Sequence, residues 1–247
     1  MNCVNLHNLS ADEFDRKYTI LEILDGSVYK VMNTATNQVV VLKMGPVAQE
    51  IRTICEIRQF EDLRRFTSSL VRILEYGTKD SESVFYTMPL YHQIIASNLN
   101  YSQQLEAAFE LLLAIIVLNQ HGIRHNDLHF GNIVFEQVNY KREYIVNDTQ
   151  YICTSGMIPV IIDFGKAIIG QPLADLSEEI QILVGEYSFD VGALEGLVPE
   201  SSILEPLLAQ LRQSRGFEIV LHPIFAPLTR NEIAPGDTIK IFADLNL

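Results

Sequence analysis

Three short stretches carry the residues best suited to chemistry on an anionic ligand. Val40-Val41-Leu42-Lys43 ends an apolar strand on a lysine, and His125-Asn126-Asp127-Leu128-His129-Phe130-Gly131-Asn132 is a polar loop. Ile161-Ile162-Asp163-Phe164-Gly165 ends a second apolar strand on an aspartate. One ammonium, two carboxylates and one amide can neutralise and align a polyanion and offer hard oxygen donors to a small divalent cation. Each stretch alone is weak, because a strand-end lysine is usually solvated and an Asp-Phe-Gly tripeptide arises often by chance. Their joint occurrence, in this order and each in its own strand or loop setting, makes chance a poor explanation.

Together these stretches resemble the protein-kinase superfamily, over about residues 18 to 195. The resemblance implies an α+β, two-lobed fold in a single domain. A β-rich N-lobe with one helix would occupy about 1–89, and a mostly helical, shortened C-lobe about 90–247, with an insertion at about 136–157. It implies an ATP- and Mg²⁺-dependent phosphotransferase, first of all a Ser/Thr kinase acting on a protein substrate. The alternatives are a phosphotransferase for a small hydroxylated molecule and a pseudokinase that only binds.

Residue by residue, Lys43 matches the family's phosphate-holding lysine, Asp163 and Asn132 its metal ligands, and Asp127 the aspartate that orients the attacking hydroxyl and accepts its proton. A glutamate on the next helix should orient Lys43. Glu50, Glu56 and Glu61 are candidates, and Glu56 fits best by its distance from the strand beginning Leu70-Val71-Arg72. Val28 and Val41 match the residues above the adenine ring and Val134 the one beneath it. Met88 matches the gatekeeper, and Pro89 and Tyr91 the hinge carbonyl and N–H. All six are equally consistent with ordinary core packing.

The sequence also departs from the family. In Leu24-Asp25-Gly26-Ser27-Val28 only the last phosphate-loop glycine, Gly26, remains, and the turn is shortened. Asn126 replaces the usual arginine, and His129 stands where a lysine is common; it either assists the γ-phosphate or packs within the loop. The His-x-Asp-Leu-His-x-Gly-Asn form is similar to haspin-type kinases, to aminoglycoside phosphotransferases and to kinases of large DNA viruses, and the retained Asp-Phe-Gly brings it nearer the haspin type. The neutral Asn126 has no need of a phosphate partner, so activity is expected without phosphorylation of Ser177, Tyr187 or Ser188. Ser188-Phe189-Asp190 resembles the start of the family's central C-lobe helix.

The elements that must position these residues are legible in outline. Strands are expected at Tyr18–Leu24, Ser27–Met32, Gln38–Met44, Leu70–Tyr76 and Ser83–Met88, with turn chemistry at Asp25-Gly26 and Asn33-Thr34. Pro46–Phe66 reads as one helix. Leu105, Phe109, Leu112, Ile115 and Ile116 give Ser102–Gln120 helical spacing, with Ser102 as the cap. Strands Asn132–Phe135 and Ile158–Ile162 flank a hairpin that turns at Asn147-Asp148. Helices are expected at 186–197 and 201–213.

The net charge of −13 over 247 residues repels phosphate backbones and anionic membranes, so neither nucleic acid nor a membrane is an expected partner. Cys3, Cys55 and Cys153 form no CxxC pair and suit reduced thiols in an intracellular compartment, cytoplasmic or nuclear. No signal peptide is apparent, and the apolar run Leu111–Leu118 is too short to span a bilayer.

Overall fold

A computed structural model describes residues 7–60, 69–80, 83–92, 99–146, 148–170, 223–229 and 238–243. The helices expected at 186–197 and 201–213, the Ser188-Phe189-Asp190 stretch, Ser177 and Tyr187 lie outside the described residues. The chain divides into two compact units.

The first unit is built on a six-stranded sheet in the order β1-β5-β6-β4-β3-β2. Its strands are β1 (His7–Leu9), β2 (Tyr18–Asp25), β3 (Val28–Asn33), β4 (Gln38–Gly45), β5 (Glu75–Thr78) and β6 (Val84–Pro89). All neighbours pair antiparallel except β1 and β5. Strands 2 to 4 fall where the alternation of Val, Ile and Tyr with turn residues puts them. The fourth expected strand starts later, at Glu75, because Val71 and Ile73 are buried outside the sheet.

The β1 strand and the helix α1 (Ala11–Lys17) were not expected. Ser10-Ala11-Asp12-Glu13 is the signal that marks α1: the Glu13 amide donates to Ser10 Oγ while the Ser10 amide donates to Glu13 Oε2 at 2.8 Å. Phe14 then packs its ring 4.6 Å from Phe85 and 5.6 Å from Tyr18, closing a core with Leu9, Val31, Val40 and Leu42. Gly77 lets β1 come this close, since a Cβ there would sit 2.2 Å from the Leu9 carbonyl oxygen.

The helix α2 (Ala48–Ile57) crosses the first unit on a buried face of Ile51, Ile54, Cys55 and Ile57. It is shorter than the expected Pro46–Phe66, ending at Ile57 with Arg58 as its cap; residues 61–68 are not described. Cys55 is disulfide-bonded, which corrects the expectation of three reduced thiols; Cys153 is free and buried.

The second unit centres on α3 (Tyr101–Gln120). Its described side chains from Gln104 to Leu118 are nearly all buried, as suits a helix surrounded by protein. The cap is Asn100 rather than Ser102: the Gln103 amide donates to Asn100 Oδ1 at 3.0 Å and the Asn100 amide to Gln103 Oε1 at 2.9 Å. Around it lie β7 (Ile123–Arg124) paired with β12 (Ile168–Ile169), β8 (Ile133–Gln137) paired with β11 (Met157–Ile161), and a three-stranded sheet. That sheet holds the hairpin β9 (Lys141–Val146) and β10 (Thr149–Cys153), with β13 (Thr238–Ala243) parallel to β9. Val146 pairs with Thr149, so the hairpin turns over two residues as expected, with Asp148 at φ 64°. Among the described residues no helix is long and apolar enough to cross a membrane.

The hairpin is pinned to α3 by charges buried within the unit. Arg142, fully buried, donates from Nε to Glu110 Oε1 at 2.5 Å, and from Nη2 to Glu110 Oε2 at 3.2 Å and to the Met157 carbonyl at 3.0 Å. The Tyr144 hydroxyl donates to Glu110 Oε1 at 2.5 Å, and one turn earlier Glu106 accepts from the Ser155 amide at 2.8 Å. Removing one member of such a set strands its partner without water, whereas removing both does not. Glu110→Leu is expected to destabilise the protein by about 3–5 kcal/mol, and the double variant Arg142→Met/Glu110→Leu to recover most of that loss in urea unfolding.

Candidate active site

Lys43 lies near the end of β4, directly across from Val28 on β3 and Tyr86 on β6. Residues opposite one another in an antiparallel ladder share a face, so Val28, Lys43 and Tyr86 form one row. Lys30, Val41 and Met88 form the next row on the same face. Three of the residues matched to the adenine site therefore sit beside the lysine. Val41 and Met88 are buried and Val28 is half-buried.

The Lys43 ammonium is held by two carboxylates. Nζ lies 2.9 Å from Glu50 Oε2 and 2.8 Å from Asp163 Oδ1. Glu50, on the first turn of α2, is 2% exposed, and its second oxygen accepts from the Tyr86 hydroxyl at 2.8 Å. The partner expected from sequence was Glu56, and the structure corrects this: Glu56 is exposed. Six residues carry a helix roughly 9 Å along its axis and about 120° away around it, so the two glutamates cannot serve the same point. Counting back from the next strand misled because α2 ends at Ile57 and a described stretch outside the sheet precedes β5.

Burial works against the Lys43 ammonium, but the attractions of Glu50 and Asp163 exceed it and hold its pKa above the ordinary lysine value. Burial pushes the Glu50 carboxyl up, and the Lys43 charge and the hydrogen bonds from Lys43 and Tyr86 only partly offset this.

Asp163 belongs to the same unit as Lys43, with Phe164–Lys166 packed as a short 3-10 turn against α2. Phe164 is fully buried. Asp163 has φ 63°, a left-handed conformation that Asp tolerates better than most residues. Asn126 shares this conformation at φ 60°. Two such residues, one beside Asp127 and the other itself a matched metal ligand, are the kind of local strain that gathers at functional sites.

The remaining matched residues lie in the second unit, on the loop from β7 to β8. Leu128, fully buried, anchors the loop. The Asn132 amide nitrogen donates to the Asp127 carbonyl at 2.8 Å, and the Ile162 amide to the Asn132 carbonyl at 3.0 Å. His125 donates from Nε2 to the Ile162 carbonyl at 2.9 Å. Two hydrogen bonds thus tie this loop to the residue immediately before Asp163 in the chain.

His129 is turned onto its own loop. Its Nδ1 accepts from the Gly131 amide at 3.1 Å, and its Nε2 lies 3.2 Å from the Asn132 side-chain nitrogen. The ring occupies the space a side chain at position 131 would need, since a Cβ there would meet His129 Cε1 at 2.9 Å. This geometry favours the loop-packing alternative for His129 over direct contact with a phosphate.

Gly26 and Ser27 form the β2–β3 turn alone, between paired Asp25 and Val28, with Gly26 at φ 43°. The shortened turn expected there is present. Pro89 ends β6 opposite Val40, the Tyr91 hydroxyl accepts from the Arg72 amide at 3.3 Å, and Val134 is buried opposite Val160 on β11.

No family model matches the sequence, and no curated protein matches it. One solved structure with a similar arrangement is the yeast RNA Pol II CTD kinase CTDK-1 complex. It has a TM-score of 0.46 and 21% sequence identity, over 70% of this chain and 51% of the solved one. The match thus spans about half the length of that relative.

Lys43→Met leaves the Glu50 carboxylate buried with Tyr86 but without its cation. Its cost is expected to be about 3 kcal/mol near neutral pH, against less than about 0.5 kcal/mol for the exposed Glu56→Gln. A carboxylate whose folded pKa is raised favours folding below its unfolded pKa and loses that contribution as pH rises through the folded value. The Lys43→Met penalty should therefore be smaller at about pH 5 than at about pH 8, because lower pH favours protonation of the stranded carboxylate. Urea unfolding at the two pH values measures the difference.

Proposed function

We propose that this chain is an ATP- and Mg²⁺-dependent phosphotransferase of the protein-kinase type that transfers the γ-phosphate to a Ser or Thr hydroxyl of a protein. The observation that carries the reading is the Lys43 ammonium held between Glu50 and Asp163. A lysine fixed this way is a preorganised cation that meets phosphate oxygens without first having to be ordered. The left-handed Asp163 and the bonded Asn132–Asp127 loop give the reading independent support.

The donor chemistry fits magnesium. Asn132 uses its amide nitrogen on Asp127, which leaves its oxygen for a ligand. The Asp163 side chain, 41% exposed, supplies carboxylate oxygen. Among the described residues no group of three or more His, Cys, Asp or Glu could hold a metal ion. The rest of the shell would come from phosphate and water, as is usual for Mg²⁺ at nucleotides. When bound, the ion would neutralise charge on the phosphates.

In this reading Lys43 binds and aligns phosphate oxygens, and Glu50 keeps Lys43 in place. Asp127 orients the acceptor hydroxyl and takes its proton. The bond from the Asn132 side-chain nitrogen to the Asp127 carbonyl fixes the Asn132 amide within the loop. The tight Gly26-Ser27 turn favours a second reading, a pseudokinase, because a two-residue turn presents few N–H groups to phosphates.

Two outcomes separate these readings. ATP at about a hundredfold above its Kd should stabilise the protein by roughly 2.7 kcal/mol when Mg²⁺ is present and much less without it. Equal thermal shifts with and without the metal would favour the binding module. Asp127→Asn should lower transfer of labelled γ-phosphate to a peptide library by roughly 10²–10⁴-fold while ATP binding changes little. Transfer at the wild-type rate would overturn the assignment of Asp127.

A further inference from the structure

The lysine–glutamate pair has a third member that the motifs do not mention. Tyr86 is 1% exposed and sits directly across the ladder from Lys43. Its hydroxyl reaches Glu50 Oε1 at 2.8 Å, while Glu50 Oε2 faces Lys43 Nζ at 2.9 Å. The two oxygens of one buried carboxylate are thus divided between a neutral donor and a cation. Without the phenol, Oε1 would be a buried acceptor with nothing to meet, and the carboxylate could rotate or withdraw. Lys43 has a second carboxylate 2.8 Å away in Asp163, so any loosening of Glu50 lets the ammonium drift toward Asp163.

We propose that Tyr86 is a positioning residue for Lys43, acting through Glu50: its hydroxyl fixes the carboxylate in the one orientation that holds the ammonium between Glu50 and Asp163. The proposal rests on the phosphotransferase reading, in which Lys43 has phosphates to align. Tyr86 is suited to the task because burial and the Glu50 charge push its phenol well above the ordinary tyrosine range, so it remains a donor. The ring is buried and phenylalanine retains it, so that loss of the hydroxyl alone can be tested without removing the packing.

The experiment is a double-mutant cycle of Tyr86→Phe and Glu50→Met, read in two ways on the full chain. The first readout is the rate of ADP formation from Mg²⁺-ATP at saturating nucleotide, together with the Kd for a fluorescent ATP analogue. The second is stability to urea. Tyr86→Phe should lower the rate by roughly tenfold to a hundredfold, the range for losing a hydrogen bond to a charged group. In the Glu50→Met background the same change should cost almost nothing, because the residue through which Tyr86 acts is gone.

A Tyr86→Phe enzyme that keeps the wild-type rate and nucleotide affinity overturns the proposal, even if it is less stable, because the hydroxyl would then be structural only. Rate effects that multiply independently in the double variant overturn it as well. Should Glu50→Met fail to fold, the single Tyr86→Phe rate and Kd decide the matter. A wild-type chain that neither binds the analogue nor forms ADP removes the phosphotransferase reading and this proposal with it. The stability cycle would still report, separately, whether the Tyr86–Glu50 bond exists.

Discussion

A buried carboxylate facing an ammonium is costly unless each of its oxygens is matched, and Glu50 imposes that condition on the first unit. At 2% exposure it cannot rely on water, so it must receive Lys43 on one oxygen and Tyr86 on the other. The condition reaches outward through the sheet. Lys43 and Tyr86 can both meet Glu50 only because β4 and β6 pair them directly opposite, and a slip of one residue in either strand would turn that strand's side chain to the other face. The core of Leu9, Phe14, Val31, Leu42 and Phe85 on the opposite face penalises any such slip. Hydrophobic packing on one side of the sheet thereby sets the electrostatics on the other.

The second unit meets a similar problem with different residues. Arg142 and Glu110 are buried away from solvent, and the guanidinium answers with a two-point contact and a further bond to a carbonyl. Here the buried charge serves attachment: it fixes a hairpin to a helix whose buried surface is mostly apolar. Phe109, flanked by Tyr144, Tyr151 and Phe225 at ring distances of 4.7–5.6 Å, supplies burial without specifying which residue goes where. The Glu106 and Glu110 pair, one helical turn apart, gives the direction that the apolar contacts lack.

How much of this was legible depended on whether the determinant was local. Strands β2 to β4, the helix α3 and the two-residue hairpin turn all announce themselves through alternation, helical spacing or turn residues, and the structure has them. The capping residue of α3 was misplaced by two positions because Ser102 and Asn100 are both good caps, and only the reciprocal bond to Gln103 distinguishes them. Helix α1 was missed although Ser10 and Glu13 carry its signature, because about two turns of helix have little periodicity to read. Glu56 was preferred to Glu50 for a different reason. The choice between them is made by where α2 begins and ends and by which strand residue faces it, and neither is written in the spacing of the glutamates.

The same distinction explains why the motif stretches were readable while their supports were not. Lys43, Asp127, Asn132 and Asp163 stand in short segments whose residue types are demanded by charge and backbone shape, and Asn126 and Asp163 even take left-handed conformations that few other residues accept. Their supports face looser demands. A buried carboxylate oxygen requires a donor, but a tyrosine on a neighbouring strand, a serine or a backbone amide would each serve. Tyr86 looks like any aromatic residue of a core strand until the ladder places it beside Lys43. What makes it informative is that the hydroxyl of a fully buried tyrosine must go somewhere, and here it goes to the one carboxylate that also holds the lysine.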